Sequence, residues 1–132
     1  MKGLDTNILV RFLVGDDAAQ ADKVYHLFKQ AEAEKRQLVV PLLVVLELLW
    51  VLESVYAIPR GEILDSLGDL TLMPIMKFEQ LSVLQGFLRA APGNSLDLSD
   101  LLIAGAAKGQ GCEAVLTFDR NAARHGMSEL VA

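Results

Sequence analysis

The chain has 132 residues, of which 52% are hydrophobic and 22% charged, which fits one globular domain over residues 1–132 with a sizeable core and excludes a disordered chain. A formal net charge of -5 argues against a protein that grips nucleic acid by charge alone, although acids gathered around a divalent cation would reverse the local field that a phosphate meets. The single Cys112 excludes an internal disulfide, no basic stretch followed by an unbroken apolar run marks a secretory signal, and the greasiest segment, LVVPLLVVLELLWVL, is interrupted by Pro41 and Glu47 and falls short of the roughly 20 apolar residues a bilayer needs, so a cytoplasmic protein without a membrane span is expected.

In chain order, KGLD reads as a strand and NILVRFLV as a short helix. AAQADKVYHLFKQAEAEKR is a longer amphipathic helix with Ala21, Val24, Leu27, Phe28 and Ala31 at helical spacing. LVV is a second strand, after which Pro41 opens a largely buried helix, LLVVLELLWVLESVY, ended by IPRG. A polar helix around GEILDSLGDL, a strand TLMPI and an amphipathic helix KFEQLSVLQGFLRA follow, and APGNS is the clearest loop. The last third reads as a helix DLSDLLIAGAAKGQ, a strand EAVLTF, a turn at DRNAARHGM and a final strand ELVA. Strands separated by helices imply parallel pairing, hence an α/β three-layer sandwich with a parallel sheet of about four to five strands and helices on both faces.

Four acids stand in apolar company. Asp5 ends the first strand, where it can cap the next helix or join other carboxylates at the carboxyl ends of parallel strands. Glu47 has Leu43, Val44, Trp50 and Val51 at i±3 and i±4, so a carboxylate on that face is expected to be paired, protonated or metal-bound, unless it reaches solvent from the edge of the stripe. Asp100 falls in the first turn of a helix rich in small residues, where the macrodipole favours a carboxylate; Asp97 is the better N-cap and a candidate supporting residue. Asp119 follows VLTF as Asp5 follows KGL, with a turn or cap as its alternative role. Carboxylates without a Cys/His set suit Mg²⁺ or Mn²⁺ better than zinc, and neither His26 nor His125 has zinc-motif spacing. No Walker loop, G-x-G-x-x-G or G-x-S-x-G is present.

The motifs LDTNILVRFL, Glu47 in an apolar third helix, SDLLIAGAA around Asp100 and VLTFDRNAAR around Asp119 resemble, over nearly the whole chain, the PIN domain nucleases and within them the VapC-type toxins of toxin–antitoxin pairs. The resemblance implies an acidic quartet of Asp5, Glu47, Asp100 and Asp119 holding Mg²⁺ or Mn²⁺, with Thr6, Asn7, Asp97 and Thr117 in support. It further implies hydrolysis of single-stranded or looped RNA to 5′-phosphate and 3′-hydroxyl ends. Arg11, Arg60, Lys77, Lys108, Arg120 and Arg124 are candidates for holding the RNA backbone, each with an ordinary solvated surface charge as its alternative, and Arg11 is also a candidate for pairing with an antitoxin carboxylate or an acid of the site. A small VapB-type antitoxin and a homodimer are the expected partners. Two other readings share these residues: a catalytically inactive PIN-like binding module, and a haloacid-dehalogenase-like phosphatase, against which Asn7 stands where that family carries a second Asp.

Overall fold

A computed structural model describes residues 1–131, and its contacts gather the chain into two compact units, Met1–Glu79 and the residues from Gln80 onward. The first unit contains β1 (Lys2–Gly3), α1 (Thr6–Val14), α2 (Ala18–Ala33), β2 (Leu38–Val40), α3 (Leu42–Ser54), α4 (Arg60–Thr71) and β3 (Met76–Phe78). The second contains α5 (Leu81–Ala90), α6 (Leu98–Gly109), β4 (Val115–Thr117), α7 (Arg120–Ala123) and β5 (Ser128–Leu130).

In the first unit the strands form one parallel sheet in the order β1-β2-β3, with Lys2 opposite Leu38 and Leu38 opposite Met76. Parallel neighbours need a crossover, and the helix pairs α1–α2 and α3–α4 supply one each. Local chemistry sets where those helices begin and end. Gly15 takes the left-handed conformation (φ 67°) and its N–H closes α1 on the Arg11 carbonyl, while the Asp17 side chain caps α2 by accepting from the Gln20 N–H at 3.0 Å. Leu9 and Val10 of α1, Val24, Phe28 and Ala31 of α2, and Val45, Leu48, Leu49 and Leu52 of α3 are all buried. Each of the larger ones is worth roughly 1.5–3 kcal/mol over exposure.

In the second unit β4 and β5 pair in parallel, Val115 opposite Ser128, with the four-residue α7 in the connection. Helix α5 packs on α6. Gly109 permits close approach there, since a Cβ at that position would stand 3.0 Å from Val83 Cγ2.

The expected alternation of strands and helices is observed, with every strand pair parallel. Two boundaries are corrected. The expected strand TLMPI is the end of α4 and a turn: Thr71 Oγ1 donates to the Gly68 carbonyl at 2.6 Å, and Leu72 is 80% exposed. The true strand is Met76–Phe78, where Met76 and Phe78 are buried on either side of an exposed Lys77, so the helix expected from Lys77 begins at Leu81. The turn expected at DRNAARHGM contains α7, and the last residue of ELVA, Ala132, lies outside the described residues. Among the described residues no helix is long and apolar enough to cross a membrane.

Candidate functional site

In the first unit, Asp5 follows the carboxyl end of β1, held there as the Leu4 N–H donates to the Val39 carbonyl at 2.8 Å. It is the N-cap of α1, its side chain accepting from the Thr6 N–H at 2.8 Å, and it is otherwise exposed. The cap role and an outward-facing carboxylate therefore coexist. Thr6 is buried, and its hydroxyl has no hydrogen-bond partner among the described residues. Asn7, one residue on, is exposed.

Helix α3 leaves the same edge of the sheet. Its Leu42 N–H donates a hydrogen bond to the Glu79 carboxylate at 2.8 Å, and Glu79 is itself placed by its N–H donating to the Val40 carbonyl at 3.0 Å. Pro41, the N-cap residue, has no side chain able to serve, so Glu79 reaches across from the end of β3 to satisfy the free donor. Sequence reading missed this carboxylate because it placed the strand at TLMPI; with β3 at Met76–Phe78, Glu79 becomes a strand-end acid like Asp5.

Glu47 requires a correction. It is exposed, as are Leu43 (77%) and Trp50 (58%) on its own stripe, while the buried stripe of α3 is Val45, Leu48, Leu49 and Leu52. Its neighbours at helical spacing are apolar but not interior, so burial does not force the carboxylate to be paired or protonated. Arg11 also finds partners within this unit. Its guanidinium donates to Gln20 at 2.5 Å, Asp16 at 3.0 Å and the Tyr56 hydroxyl at 3.3 Å, and Tyr56 donates to Asp16 at 2.9 Å. This network ties α1 to α2 and to the segment after α3.

In the second unit, Asp97 is the N-cap of α6, accepting from the Ser99 N–H at 2.9 Å, as expected. Asp100 lies one turn in and is half-buried. Burial pushes its carboxyl above the usual range, and the negative charges of Asp97 and Asp119 push it further in the same direction. Asp119 is the N-cap of α7: one carboxylate oxygen accepts from the Asn121 N–H at 2.8 Å and the Ala122 N–H at 3.4 Å. The Thr117 hydroxyl accepts from the Asp119 N–H at 3.0 Å and so fixes the backbone that carries this acid. Arg120 and Arg124, on and just after α7, are exposed. Thus β4 and α6 bring Asp100 and Asp119, 19 positions apart in the chain, within mutual electrostatic reach.

These acids present only oxygen donors, and the repulsion that Asp97 and Asp119 exert on the Asp100 carboxylate is not relieved by any ion pair among the described residues. A hard divalent cation would supply the counter-charge such a set lacks. In neither unit do the described residues bring three His, Cys, Asp or Glu side chains together closely enough to hold a metal by themselves.

The sequence model of the PIN domain family matches residues 3–126, a span that takes in all four acids and both units. No curated protein matches the chain.

Proposed function

The chain belongs to the PIN domain family, a family to which nuclease activity generally belongs, and from that premise we propose that it is a Mg²⁺- or Mn²⁺-dependent endoribonuclease acting as the toxin of a VapBC-type pair. In this reading Asp5, Glu47, Asp100 and Asp119 hold the cation. The observation that carries the proposal is the placement of three acids in the second unit, Asp97 and Asp100 at the start of α6 and Asp119 at the N-cap of α7: burial, then Asp97 and Asp119, disfavour the Asp100 anion, a cost that a bound cation would offset. When bound, such a cation neutralises phosphate charge and makes water a better nucleophile near neutral pH.

The chain's own residues divide the remaining work. Thr117 and the α7 N–H groups hold Asp119 in one orientation, and Asp97 does the capping that leaves the Asp100 carboxylate free to face a ligand. Thr6 and Asn7 adjoin Asp5 and serve to orient it or the attacking water. Arg120 and Arg124 flank the Asp119 turn as exposed cations for the RNA backbone. Arg11 is committed to Asp16, Gln20 and Tyr56, so its role is to brace α1. A small VapB-type antitoxin restrains the toxin, and the protein works in the cytoplasm as a homodimer.

The test is cleavage of a mixed RNA substrate by partner-free protein with Mg²⁺, Mn²⁺ or EDTA, beside Asp5→Asn and Asp100→Asn. Cleavage that requires the metal and drops at least 100-fold in both variants is expected, the scale of losing a main electrostatic contributor. Metal-independent cleavage, or full activity in both variants, would refute the assignment. Folded protein that neither cleaves nor binds Mn²⁺ would establish the inactive binding module instead.

A further inference from the structure

Between α5 and α6 runs a cavity of about 320 Å³ whose apolar wall includes Val83, Phe87, Leu101 and Met127. Arg89 and Lys108 also line it, and no acidic residue does. Neither cation joins an ion pair among the described residues. Each stands in the last turn of its helix, where the macrodipole favours a positive charge; that accounts for the place on the helix but not for the apolar space between them. In a chain of formal net charge -5, two unspent cations over a greasy cavity are a local reversal of the protein's field.

The volume lies at the lower end of ligand pockets, which run from roughly 300 Å³ upward, and suits one or two aliphatic side chains. Nucleic acid is the poorer match. A single-stranded RNA site offers exposed aromatic rings for bases to stack on, whereas Phe87, the aromatic residue lining this cavity, is buried.

We propose that this cavity docks a short peptide segment of a partner protein that carries aliphatic and acidic side chains together. An aliphatic side chain fills the space beside the half-buried Val83 and Met127, and a carboxylate meets Arg89 and Lys108. The inference stands apart from the ribonuclease assignment and uses none of its acids.

The experiment is an NMR titration of the full chain with a blocked pentapeptide of alternating leucine and glutamate. A leucine–lysine peptide of the same length and an oligouridylate serve as comparisons, and the Arg89→Gln/Lys108→Gln double variant is titrated in parallel. The leucine–glutamate peptide is expected to shift the amides of Gly86, Gly105 and Gly109 saturably. The double variant, with an unchanged circular dichroism spectrum, is expected to bind it at least about tenfold more weakly. Equal binding of the leucine–lysine peptide, undiminished binding by the double variant, or shifts confined to other residues would overturn the proposal. So would an oligouridylate that displaces the peptide from the same amides, since it would assign the cavity to RNA.

Discussion

Asp100 and Thr6 show how a single residue can be held at an energetic disadvantage. The Asp100 carboxyl binds its proton more tightly in the folded protein than in the unfolded chain, because burial, Asp97 and Asp119 all disfavour the anion. Folded protein therefore carries more protons than unfolded protein in the interval above the ordinary carboxylate value and up to the raised one. Stability from this group falls as pH rises through that interval and recovers as pH drops. In EDTA at neutral pH, Asp100→Asn should raise the thermal midpoint and flatten this part of the pH dependence; a lowered midpoint would contradict the account. Thr6 presents a buried hydroxyl with no partner among the described residues. Replacing an unsatisfied polar atom by a methyl of similar shape removes a desolvation cost, so Thr6→Val should leave stability unchanged or raise it by up to about 1 kcal/mol in urea titration. If Thr6 orients the reacting groups, cleavage falls in the same variant while stability does not.

At the scale of elements, short-range capping decides where the acid-bearing helices begin. Helix α3 borrows its cap from Glu79, so Glu79→Ala should cost about 1 kcal/mol, whereas Glu79→Gln, which keeps an acceptor, should cost less than half of that. Equal losses would mean that the charge, rather than the hydrogen bond, is what α3 uses. The same logic separates structure from chemistry at α7: Asp119→Asn preserves an N-cap acceptor for the Asn121 N–H and is expected to fold normally while losing metal-dependent activity. Most elements were legible in the sequence, because the spacing of Val24, Phe28 and Ala31, or the step from KGL to Asp5, is a local pattern. Helix α3 was legible as a helix but not in its orientation. LLVVLELLWVL is apolar nearly all round, so its periodicity cannot select a face; packing against α1 and α4 does so, and it leaves Leu43, Glu47 and Trp50 outside. Strand β3 was misread for a related reason. Three residues with one charge in the middle carry little pattern of their own, and what makes Met76–Phe78 a strand is pairing with Leu38–Val40.

For the molecule as a whole, the proposed metal site implies a response of stability to cations. A ligand that binds the folded state and not the unfolded one stabilises by mass action, by about 2.7 kcal/mol at one hundred times its dissociation constant. Mn²⁺ should therefore raise the thermal midpoint of the intact chain, EDTA should reverse the rise, and Asp100→Asn should abolish most of it. A midpoint indifferent to Mn²⁺ would remove the basis for a metal site. The sequence by itself determined the α/β class with parallel strands, the family, and the acids placed after strands or at helix starts, since each rests on neighbours within a few positions of the chain. Only the tertiary structure decided that Glu47 faces outward, that Glu79 caps α3, that Arg11 is committed to Tyr56, and that Asp119 raises Asp100. Those outcomes depend on which elements pack together, and a long-range pairing of that kind leaves no mark in the local spacing of residues.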